Sequence, residues 1–120
     1  MKLRFIVGGV VLLLILGGAF VYAHVRSLPA GPTIRMTKNG FEPEEVTIQK
    51  GMRVTWVNED SVPRWPASNL HPTHGIYPEF DPLEGIPPGA SWSFVFDRVG
   101  SWRFHDHLLP QMKGTVYVGE

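Results

Sequence analysis

The chain contains no cysteine. That absence excludes disulfides, iron–sulfur clusters, thiolate zinc sites and a cysteine nucleophile. A surplus of positive charge is missing too. The 120 residues hold eleven Lys/Arg and eleven Asp/Glu, and three of the cations (Lys2, Arg4, Arg26) precede residue 33. Residues 33–120 therefore carry eight cations against eleven anions, which gives no basic footprint for a nucleic acid. There is no Gly-x-Ser-x-Gly turn or other nucleophile context, so nothing points to a hydrolytic triad. Histidine is also scarce, with five in all. Apart from His24, they fall in two short clusters, "HPTH" (71–74) and "HDH" (105–107).

One long apolar run is present. From Phe5 to Ala23 the chain reads "FIVGGVVLLLILGGAFVYA", uncharged and preceded by Lys2 and Arg4. A helix needs about 20 apolar residues to cross a bilayer. The run exceeds the ~7–15-residue apolar core of a signal peptide, although Val21-Tyr22-Ala23 would suit a cleavage site. The expectation is an N-terminal membrane anchor over 1–25, or a secreted protein if that segment is removed. In either case Lys2 and Arg4 keep the N-terminus inside and send the remainder outward. "RSLPAGP", within 26–32, reads as a linker, since its prolines and glycine break a helix. Residues 33–120 make one domain.

The pattern of that domain is all-β. "TIRMTK" (33–38), "EVTIQKG" (45–51), "RVTWVN" (53–58), "SWSFVF" (91–96), "SWRFH" (101–105) and "GTVYVG" (114–119) alternate apolar and polar residues between turn signals. Six or seven short strands without helical period predict a β-sandwich or Greek-key barrel. Residues 59–90 interrupt the pattern with seven of the chain's eleven prolines. A connection this long is usually functional or disordered, and Trp65, Tyr77 and Phe80 argue for order. The segment is expected to drape over one end of the barrel.

In order and spacing, "NGFEPEEVTIQKGMRVTWVNED" (39–60), "IPPGASWSFVF" (86–96) and "VGSWRFHDHLLPQMKGTVYV" (99–118) resemble the cupredoxin (plastocyanin-like) family. The resemblance spans nearly all of 33–119 and implies a cupredoxin-like Greek-key fold. Blue-copper members hold copper with two His, one Cys and a weak Met. Carried over residue by residue, the first His position is Arg64, the Cys position is Asp106 and the second His position is Leu109. Only the methionine remains, as Met112. The resemblance therefore implies a member without a blue-copper centre.

The histidines suggest a replacement. In a strand, side chains two apart share a face, so His105 and His107 point together, away from Trp102, Phe104 and Asp106. The His-x-His pair also resembles the one found in multicopper oxidase domains. If the 59–90 segment ends at the same rim, His71 and His74 close over the pair. Imidazole suits copper, and zinc as well. The expected ligands are His71, His74, His105 and His107, with Met112 either a fifth or a core residue. Glu79 and Asp81 are further candidates, as ligands or as acceptors behind an imidazole. Asp106 is expected to orient a histidine or to pair with Arg64. Trp65 is expected to pack, or to lie over the metal site as a cation–π partner. Function then divides into electron transfer, copper handling with a redox or metal-transfer protein partner, and a small oxidoreductase with an open coordination position.

Overall fold

A computed structural model describes residues 30–120. The expected membrane helix and most of the linker lie outside the described residues. Among the described residues no helix is long and apolar enough to cross a membrane.

Eight strands follow one another: β1 (Thr33–Thr37), β2 (Gly40–Glu42), β3 (Glu45–Gln49), β4 (Arg53–Asn58), β5 (Pro66–Ser68), β6 (Ser91–Val95), β7 (Gly100–Asp106) and β8 (Leu109–Gly119). They form two four-stranded sheets, ordered β2-β1-β4-β6 and β3-β8-β7-β5. The alternation read from sequence sets the inward faces. Ile34 and Met36 of β1, Val46 and Ile48 of β3, and Val54 and Trp56 of β4 are buried, and their neighbours are more exposed. Parallel pairing of β1 with β4 sets Ile34 beside Trp56, and pairing of β3 with β8 sets Val46 beside Val116.

Two strands escaped the sequence pattern, β2 and β5, each three residues long. Segments this short show too little alternation to register as strands. β5 lies inside the proline-rich segment and pairs antiparallel with β7, Ala67 opposite His105. It begins at a proline, which an edge strand tolerates because one side of its backbone needs no partner.

The proline-rich segment is ordered because its aromatics are core residues. Phe80 and Tyr77 are essentially inaccessible to solvent. Phe80 packs against Trp56, Phe96 and Phe104, and Tyr77 stands edge-on to Phe94 and Trp102. Burying each such ring is worth about 1.5–3 kcal/mol. These two anchors hold the loop that carries His71 and His74 against the sheet. Trp56 is the centre of the core, touching Phe80, Trp92, Phe96 and Phe104. Its indole N–H is buried without a partner among the described residues. That costs roughly 1–3 kcal/mol, a cost its packing offsets.

Candidate metal centre

The positions where the family resemblance sets copper ligands hold an ion pair instead. Arg64 is 6% exposed and Asp106 is fully buried. The guanidinium donates from Nη1 to Asp106 Oδ2 at 3.0 Å and from Nε and Nη2 to Asp60 Oδ2. Burial alone would lower the pKa of Arg64, but the two carboxylates more than reverse this and raise it. Asp106 Oδ1 also accepts the backbone N–H groups of Trp65 (3.0 Å) and Leu108 (2.9 Å). The carboxylate thus joins the chain before β5 to the turn between β7 and β8. That turn presents His107, whose N–H bonds the Trp65 carbonyl at 2.8 Å.

On the other face of β7 the four histidines meet. One nitrogen from each of His71, His74, His105 and His107 lies within 4.8 Å of all the others. His71 Nδ1 is 3.2 Å from His105 Nε2, and His74 Nε2 is 3.0 Å from His107 Nδ1. His105 and His74 are buried, His107 is half-buried and His71 is exposed. The site is therefore closed below by the sheet and reached through His71.

Two of the rings are oriented from behind. His105 donates its Nδ1–H to Asn69 Oδ1 at 3.0 Å, leaving the Nε2 lone pair facing the cluster. His74 donates its Nδ1–H to Asp81 Oδ2 at 2.5 Å, with the same consequence. Such outer partners fix the tautomer and ring orientation of a metal-binding histidine. Asp81 is itself held by the Trp65 indole N–H at 2.8 Å and the Leu83 N–H at 2.8 Å. Burial pushes the Asp81 carboxyl up, but the bonds from His74, Leu83 and Trp65 outweigh it and keep the pKa below the usual range. His74 sits at φ 55°, the left-handed region that costs a residue with a Cβ about 1–2 kcal/mol. Its N–H bond to Leu70 O and its tie to Asp81 hold it there.

Burial disfavours the charged form of His105 and His107. Burial, and then the proximity of His74, His71 and His107, push His105 down to about 4. Burial, His74 and His71 likewise lower His107. Metal ligation requires the neutral imidazole. Four imidazole nitrogens at this spacing, two of them on rings braced from outside, form a donor set that fits a borderline metal ion such as copper or zinc.

The remaining expected residues separate cleanly. Asp81 is the acceptor behind His74. Glu79 is exposed and pairs with Arg98 at 3.1 Å on the surface. Met112 is buried in the hydrophobic core with Phe104 and Val116, the packing role of the two expected for it. Trp65 packs on His107, ring centroids 4.5 Å apart, and its indole N–H holds Asp81. Asn69 was not singled out from sequence. The only available signal was an amide two residues before His71, at the end of a segment with no visible strand.

No family model matches the chain. Over 97 residues it is 33% identical to amicyanin-alpha of Methylorubrum extorquens, covering 78% of this chain and 77% of that protein. It is 33% identical over 87 residues to plastocyanin of Scenedesmus fuscus, covering 65% of this chain and 85% of that one. Among solved structures, a purple cupredoxin from Nitrosopumilus maritimus superposes with a TM-score of 0.65 at 24% identity, over 74% of this chain and all of that one. A reduced amicyanin variant superposes at 0.64 with 22% identity, over 74% of this chain and 82% of that one. With the two-sheet sandwich and these similarities together, the chain belongs to the cupredoxin family, as a divergent member that has no cysteine.

Proposed function

We propose that this protein binds copper outside the cell membrane through His71, His74, His105 and His107, for electron transfer or copper handling. The observation that carries the reading is the convergence of four imidazole nitrogens within 4.8 Å, built from two separate parts of the chain. Its relatives support copper as the ion, since solved amicyanin structures are described as Cu(I) forms. The residues supply the binding themselves: Asp81 and Asn69 orient two rings, and the imidazole nitrogens offer their lone pairs. A bound copper ion would add one-electron redox chemistry. Exposed Leu70 and Leu108 flank His71 and His107 in the chain, a surface suited to transient contact with a protein partner. The uncharged run from Phe5 to Ala23 would tether the domain to the membrane.

The test is copper titration of the purified full-length chain, followed by calorimetry and thermal melting. A ligand that binds only the native state stabilises it by about 2.7 kcal/mol at a hundredfold excess over Kd. The variant His71→Ala/His74→Ala is expected to lose most of the copper-induced rise in Tm, measured against its own copper-free Tm, which loss of the His74–Asp81 bond lowers. A double variant that kept the whole rise would sink the four-histidine site. Electron transfer is distinguished from handling by a reversible reduction potential with retained copper, as against release to a competing chelator.

A further inference from the structure

The four rings are not placed alike. Each loop ring, His71 or His74, has its centroid 4.9–5.1 Å from both rings of the β7–β8 hairpin, His105 and His107. The two loop rings are 6.5 Å apart. A tetrahedron of rings makes all separations equal, whereas a square makes each diagonal about 1.4 times the edge, and these are the arrangements preferred by different metals. Four nearly equal edges of 4.9–5.1 Å with a diagonal of 6.5 Å depart from the tetrahedron in the direction of the flattened arrangement. From this geometry we infer that the site is built for a tetragonal ion, Cu(II) in particular, and disfavours tetrahedral Zn(II). The inference rests on the metal-binding reading above and adds the geometry the chain imposes.

The chain has reasons to hold this shape. His105 lies in β7 and His107 in the turn that follows it, held by its N–H bond to the Trp65 carbonyl, so the two rings leave the chain at different points of the hairpin end. His71 and His74 come from the loop and flank that pair. Swinging His74 toward His71, as a tetrahedron requires, would break its bond to Asp81 and take it from its left-handed backbone position, while Asn69 fixes His105, the ring that faces His71. Asp81 in turn is tied to Trp65, and Trp65 packs on His107. The loop itself cannot drift, because Tyr77 and Phe80 are buried in the core. No thiolate is available to draw the site toward a softer, tetrahedral ion.

The experiment uses the purified full-length chain loaded separately with Co(II) and with Cu(II). Cobalt reports geometry through its visible bands, and copper through its paramagnetic resonance. The expected result is a cobalt form lacking the intense visible absorption of tetrahedral Co(II), with an axial Cu(II) signal of large parallel hyperfine splitting. Intense tetrahedral cobalt bands, with a compressed hyperfine splitting in the copper form, would overturn the inference and leave metal binding standing. Failure to bind either ion would overturn both this inference and the metal-binding reading. Asp81→Asn supplies a second measurement, because it weakens the brace on His74 without removing a ligand. Its Cu(II) spectrum is expected to shift away from the axial limit, and an unchanged spectrum would show that the brace does not set the geometry.

Discussion

Replacing Arg64 with methionine separates the structural role of the family's ligand positions from metal binding. The guanidinium is the partner of Asp106, which is fully buried, and it also bonds Asp60. Methionine keeps much of the volume but removes every one of those bonds. Asp106 would retain the N–H groups of Trp65 and Leu108, yet its Oδ2 would face no cation. Breaking a buried ion pair on one side typically costs about 3–5 kcal/mol, because a charge is left buried and uncompensated. Against a total stability of roughly 5–15 kcal/mol, the variant folds only with a much reduced margin. Urea denaturation is the assay, read as a lowered midpoint with an unchanged slope. Arg64→Met/Asp106→Asn is expected to recover part of the loss, since the amide oxygen still accepts the two backbone bonds and the fully buried charge is gone, while Asp60 stays without its cation. Copper affinity of the folded Arg64→Met variant is expected to stay within about tenfold of the parent, since Arg64 touches no histidine and lies beyond the partners whose loss costs about 10–100-fold. A loss below 1 kcal/mol, or abolished copper binding in a variant that remains folded, would refute the reasoning.

Three further outcomes follow from the site and the core. His105 has its pKa lowered to about 4 and His107 is lowered as well, so unfolding releases groups that bind protons more readily. Stability of the copper-free protein is therefore full above the ordinary histidine range near 6.5 and falls as pH drops from there toward about 4; a Tm flat across that window would contradict the burial of His105. Asp81→Asn should weaken copper binding by roughly 10–100-fold, measured by chelator competition, and parent-like affinity would remove Asp81 from the site. Gly114→Ala would set a Cβ 2.4 Å from Phe104 Cζ and 2.7 Å from Glu44 O. Overpacking of this kind costs about 1–3 kcal/mol, and an unchanged denaturation midpoint would show that β8 yields more easily than its packing implies.

What could be read along the chain was read from local pattern. Alternation in "RVTWVN" and "SWRFH" set which side chains face inward, because period two is a property of the strand itself. The missing cysteine, with Arg64 and Leu109 at the family's histidine positions, excluded a blue-copper centre before any coordinates were needed. The His-x-His spacing marks two imidazoles at the end of the "SWRFH" strand, although His107 itself lies in the turn after β7, where strand alternation no longer applies. The rest depended on contacts between residues far apart in sequence. That His71 and His74 reach His105 and His107 follows from Tyr77 and Phe80 entering the core, and no local pattern distinguishes a loop aromatic that packs from one that does not. Asn69, Asp81 and Trp65 acquire their roles only where β5 pairs with β7 and the loop returns beside it. Met112 shows the converse: a residue marked by its sequence position as a ligand is drawn by packing into the core. Residue type and short-range spacing set the sandwich and the supply of imidazoles. The convergence of those imidazoles and the orientation of His74 and His105 come from contacts across the fold, because distant segments meet only when buried anchors offset the entropy of bringing them together.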